Sequence, residues 1–207
     1  MEMKMRTWFD LEFSLAGSPM VDPVAEPQIL WIDIETRKVR APRSWSQKMR
    51  WQPFMIGMAQ AMDPGILSVE VVSGAEDELI EMLEEFDGYQ FRYDATREFD
   101  EMVLRGRFTN ARRAHSKRTG SWRTLRDDVD ITWKNIRKTR LETTWHRAPD
   151  CLGVEVPSLW QESEIGSHDQ ALVAKHCLRD VIENVLRDAD VRMTPRLRKQ
   201  LVRKLEK

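Results

Sequence analysis

The segment Ile29-Leu30-Trp31-Ile32-Asp33-Ile34-Glu35-Thr36 constrains this chain more than any other. It is an apolar run broken by two carboxylates one residue apart. Alternate residues of a strand share a face, so Asp33 and Glu35 point the same way. Two acids on one face of a buried strand repel each other and are costly to desolvate. A divalent cation, which takes oxygen ligands, is the natural compensation. Taken alone, the pattern also fits an edge strand with two solvated acids.

The chain has 207 residues, enough for one α/β domain with a proper core and a small appendage. No apolar run approaches the length of a membrane span, and MEMKMRTWFDLEFS lacks the apolar core of a secretory signal. Cys151 and Cys177 are too few for a disulfide framework, so a reducing, cytoplasmic setting is expected. Zinc is not expected, because there is no C-x-x-C and the four histidines are scattered.

The net charge of −1 does not announce a polyanion partner, but its distribution is uneven. From Glu70 to Glu101 there are twelve acids and two bases; from Arg105 to Arg126 there are eight bases and no acid. Such a basic block can attract phosphate in a neutral protein, or simply lie on a solvated loop.

Residues 1–28 form an arm of unassigned role, with a strand-like TWFDLEFS. PFMIGMAQAM and ILSVEVV read as strands separated by the turn signal Asp63-Pro64-Gly65. With the ILWIDIE strand they predict an antiparallel meander. Ser73-Gly-Ala-Glu76 is a capping-box pattern opening a helix, with Leu79, Met82, Leu83 and Phe86 as its apolar stripe and Gly88 as its stop. YQFRYDA reads as a short strand, followed by a helix from about 97 to 107. A helix is expected around Ile131–Glu142. Trp122, Trp133, Trp145 and Trp160 suit packing or base stacking.

Ser167-His-Asp-Gln170 opens a long helix to about Ala189. Val173, Cys177, Val181 and Val185 recur at four-residue steps, and His176 and Asp180 share another face at the same spacing. A basic amphipathic helix ends the chain, over 191–207, and either docks on the body or touches nucleic acid.

Four acids therefore stand in fitting contexts: Asp33 and Glu35 on a strand, Asp100 near a helix start, Asp180 on a late helix with His176. Carboxylates brought together in this way can hold two divalent metals for in-line phosphodiester cleavage. A base one helical turn from a ligand can take a proton from water.

The ordered set ILWIDIET, REFDEMVL and HCLRD resembles the three motifs of the DEDD-type 3′–5′ exonucleases of the ribonuclease H-like superfamily. The likeness covers about 29–188, and is nearest to polymerase-B-related and phage-type exonucleases. It implies an α/β fold, a ribonuclease H-like mixed sheet flanked by helices, over 29–190. It implies two Mg²⁺ or Mn²⁺ ions. Asp33 would bridge both, Glu35 and Asp180 would hold the one carrying the nucleophilic water, and Asp100 would support the other. Two departures stand out. His176 replaces the usual tyrosine at the same helical spacing, and Asp94 stands where asparagine is frequent. Asp94 would bind substrate, assist metal or cap the helix.

The expected activity is hydrolysis of nucleic acid from the 3′ end, with single-stranded DNA the first choice and RNA open. Arg112 and Arg113 would reach substrate phosphates, with Asn110 and His115 adding contacts. The rival reading is a weak or inactive nucleic-acid-binding protein that keeps the fold.

Overall fold

A computed structural model of the chain describes residues 5–15, 21–24, 26–37, 52–94, 100–101, 103–104, 131–136, 170–189 and 194–205. Among the described residues, six strands form one mixed sheet: β1 (Arg6–Ser14), β2 (Ile29–Arg37), β3 (Gln52–Asp63), β4 (Ile66–Ser73), β5 (Gln90–Tyr93) and β6 (Thr132–Asn135). Their spatial order is β1-β4-β3-β2-β5-β6. The helices whose bounds lie within the described residues are α1 (Glu76–Glu84), α2 (Gln170–Asp188) and α3 (Pro195–Leu205).

The meander forms as expected: β2 pairs antiparallel with β3, and β3 with β4. Pro64-Gly65 closes the β3–β4 turn, where Gly65 takes φ 75°, a backbone angle that disfavours a Cβ. β5 then lies parallel to β2, and β6 parallel to β5. β1 pairs antiparallel with β4, so Arg6–Ser14 of the N-terminal arm forms an edge strand of the same sheet.

Strand periodicity sorts β2 between two cores. Leu30, Ile32 and Ile34 pack with Leu79, Ile80 and Leu83 of α1 and with Val103 and Leu104. Trp31 packs on the other face with the apolar stripe of α2, Val173, Cys177, Val181 and Val185. Leu201 of α3 is buried in that second core, so the C-terminal helix docks on the body.

Two expectations need correction. Thr132–Asn135 is a strand, not the start of a helix. Pairing with β5 sets Trp133 edge-on to Phe91 and Tyr93, at centroid distances of 5.1 and 6.4 Å. Cross-strand aromatic packing thus outweighs a weak helical pattern, and it assigns Trp133 to packing. Ser73 is also no helix cap: it ends β4, and its Oγ accepts a hydrogen bond from Trp8 Nε1 at 2.8 Å. The cap of α1 is Ala75, whose N–H donates to Glu78 Oε2 at 3.3 Å. Trp122, Trp145 and Trp160 lie outside the described residues, as does most of the expected 97–107 helix. Asp100, Glu101, Val103 and Leu104 have helical backbone. Among the described residues, no helix is long and apolar enough to cross a membrane.

Candidate active site

α2 lies along β2 in the opposite chain direction, and its contacts run residue by residue down the strand. Asp188 Oδ2 accepts from Trp31 Nε1 at 2.9 Å. Asn184 Nδ2 donates to the Ile32 carbonyl at 2.9 Å. Cys177 Sγ lies 3.7 Å from the Asp33 carbonyl oxygen. His176 Nδ1 lies 3.1 Å from Glu35 Oε1 and 3.3 Å from Asp180 Oδ2. One polar ridge, His176, Asp180, Asn184 and Asp188, therefore follows β2 at four-residue steps.

Close approach of α2 to the sheet depends on Gly57, which sits opposite Asp33 in the β2–β3 register. A Cβ there would meet Cys177 Sγ at 3.0 Å, the Cys177 carbonyl oxygen at 3.1 Å and Val181 Cβ at 3.3 Å. Glycine is the residue that lets the helix bring His176 and Asp180 down to the strand acids.

Asp100, on its helical segment, lies close enough for its charge to act on Asp33 and is buried, at 5% exposure. Beside it, the Tyr93 hydroxyl donates to the Glu101 carboxylate, tying that segment to β5. Burial and the Glu101 hydrogen bond push the Tyr93 phenol well up, so it stays a donor.

Three of the four acids, Asp33, Glu35 and Asp100, are pushed upward. Burial raises Asp33 well above the usual carboxylate range, and the charges of Asp180, Glu35 and Asp100 raise it further. Burial likewise raises Asp100, with Glu35, Asp180 and Asp94 adding to the shift. Glu35 is raised by burial although its hydrogen bond and charge contact with His176 pull it down. For His176, burial lowers the pKa, but the Glu35 hydrogen bond and the Asp180 and Glu35 charges outweigh it, and the net shift is upward. Cys177 is held protonated by burial and by the neighbouring acids, so it is a packing residue rather than a nucleophile.

Arg179 enters this cluster unanticipated. Its Nε donates to Asp180 Oδ1 at 2.8 Å, and its guanidinium lies 3.0 Å from His176 Nε2. Arginine has only donors, so that contact needs an unprotonated Nε2 with the ring proton on Nδ1, facing Glu35. Both ring nitrogens of His176 are thus engaged within the protein.

Asp94 is mostly buried and forms an ion pair with Arg187, which also holds Glu183 at 2.9 Å. The basic stretch that carries Asn110, Arg112, Arg113 and His115 lies outside the described residues. At the far end of the polar ridge, Asp188 is buried between Trp31 and Arg92, with Lys134 at 3.8 Å.

The donor set can be tested against divalent metal. Four carboxylates from three separate segments are hard oxygen donors of the kind Mg²⁺ and Mn²⁺ take. Asp33 Oδ2 is buried with no hydrogen-bond partner among the described residues. An orphaned buried carboxylate oxygen among raised acids is what a cation would satisfy. In this conformation, no three His, Cys, Asp or Glu side chains among the described residues converge tightly enough to ligate one ion. Glu35 and Asp180 turn instead to His176 and Arg179, so ligation requires those two carboxylates to rotate away.

No family model matches the chain, and neither a curated protein nor a solved structure matches it.

Proposed function

We propose that this protein is a metal-dependent 3′–5′ exonuclease of the ribonuclease H-like class, acting on single-stranded DNA. The observation that carries the reading is that Asp33, Glu35, Asp100 and Asp180, from three separate segments, lie close enough for the other three charges to act on Asp33, one of whose buried oxygens has no hydrogen-bond partner among the described residues. The D-x-E pair stands on an interior strand of a mixed sheet with helices on both faces, which supports the fold the motifs imply.

Asp33, Glu35, Asp100 and Asp180 would hold two divalent ions, whose chemistry is to activate water and to stabilise charge on the leaving oxygen. The chain's own contribution is largely positional. Asp33 and Glu35 are fixed by β2, and Asp180 by the packing of α2 over Gly57. In this conformation His176 directs Nδ1 toward Glu35 and Nε2 toward Arg179; it would accept a proton on Nε2 only with Arg179 turned away and Glu35 turned to the metal. Phosphate recognition falls to the basic block that includes Arg112 and Arg113, with Asn110.

One observation favours the rival, a binding protein of low activity: His176 and Arg179 already engage two of the four acids. The test is digestion of matched DNA and RNA strands labelled at either end, with Mg²⁺ or Mn²⁺. Metal-dependent release of mononucleotides from the 3′ end of DNA is expected. Binding without release supports the rival, and preference for RNA reassigns the substrate.

A further inference from the structure

α3 contains five bases and no acid in Pro195–Leu205. Arg196, Arg198, Lys199 and Arg203 are exposed, and none has an ion-pair partner among the described residues. Leu201 is 1% exposed and fixes which side of the helix meets the body. At 3.6 residues per turn, Arg196, Lys199 and Arg203 fall within an arc of about 60°, on the side roughly opposite Leu201. Docking therefore aims a stripe of three cations straight outward.

We infer that this outward face of α3 is a secondary binding surface for the phosphate backbone of single-stranded nucleic acid, resting on the nuclease reading above. Charge complementarity names the occupant: three cations in a row, with no ion-pair partner among the described residues, suit a linear polyanion. A membrane-surface helix keeps its apolar face for lipid, whereas here Leu201 of that face is buried in the protein core. The stripe carries no base-reading geometry, so its contribution is affinity without sequence preference. It also supplies cationic surface that the acid-rich site cannot.

The test uses the full chain and a fluorescent single-stranded DNA oligomer in metal-free buffer, so that the strand is not cut. Wild type is compared with the Arg196→Gln/Lys199→Gln/Arg203→Gln variant across a salt series. Glutamine keeps helix propensity, so α3 stays formed. Each backbone contact to a single strand contributes about 0.7 to the log–log salt slope, so loss of three should make it shallower by about 2. Affinity at low salt should fall tenfold or more, by the same relation. An unchanged slope, in a variant and wild type that both bind and cut DNA, overturns this surface and leaves the nuclease reading standing. Wild type without affinity for DNA in metal-free buffer overturns this surface, and the nuclease reading falls with it only if no mononucleotides are released when Mn²⁺ is added. Binding to anionic phospholipid vesicles that depends on these three residues, with DNA affinity unchanged, reassigns the surface to membrane and overturns the inference.

Discussion

Asp33 is the residue on which the candidate site turns. Its carboxylate is raised by burial and by three neighbouring acids, and one oxygen lacks a partner among the described residues. Asp33→Asn should remove metal-dependent hydrolysis by several orders of magnitude. It should also stabilise the metal-free protein, because the repulsion goes with the charge. A gain of about 1 kcal/mol would raise Tm by roughly 2–4 °C in a chain of this size. A lower Tm for Asp33→Asn would show that the carboxylate is structural. The pH dependence has a definite sign. Asp33, Glu35 and Asp100 have raised folded pKa values, so the folded state binds more protons than the unfolded state above the ordinary carboxylate range. Stability of the metal-free protein should then fall as pH rises through that window. His176, also raised, acts in the same sense: its stabilisation is present below its unfolded pKa and is lost as pH rises through the folded one. Denaturant unfolding at a series of pH values checks this, and added Mn²⁺ should flatten the slope. Asp33, Glu35 and the His176–Asp180 spacing are legible in the sequence because each rests on local periodicity. Arg179 is not, since nothing in its own neighbourhood distinguishes it from a solvated arginine.

At the scale of elements, the packing of α2 on β2 and β3 decides whether the acids meet. Gly57→Ala places a methyl against the backbone and side chain of Cys177, and such overpacking typically costs about 1–3 kcal/mol. Lifting α2 should also weaken Mn²⁺ binding more than an equally destabilising Val185→Ala change elsewhere on the same helix. Equal metal affinity in the two variants would assign Gly57 to packing alone. Asp188 anchors the other end of α2 through Trp31 and Arg92. Asp188→Ala leaves Arg92 buried and uncompensated and should cost about 3–5 kcal/mol, measurable by urea denaturation. The sequence holds a signal for this anchor: continuing the four-residue step from His176 and Asp180 leads to Asn184 and Asp188. β6 escapes a sequence reading because a four-residue strand with one aromatic gives little periodicity, and its partner β5 is distant in sequence.

For the whole molecule, the meander, α1 and α2 can be read from hydrophobic period and turn chemistry, which are local. The parallel placement of β5 and β6, and the addition of β1 to β4, cannot, because strand order is fixed by contacts between distant segments. The site shares that division. Its strand and helix acids are visible one by one, while their convergence with Asp100 is a property of the fold. The most direct measurement is calorimetric titration of Mn²⁺ into wild type and into Asp33→Asn at fixed pH, with Tm followed in parallel. Wild type should take up two ions per chain, release protons on binding and gain Tm, and Asp33→Asn should lose both ions. Equal uptake by the two proteins, or no uptake by wild type, would contradict the two-metal site.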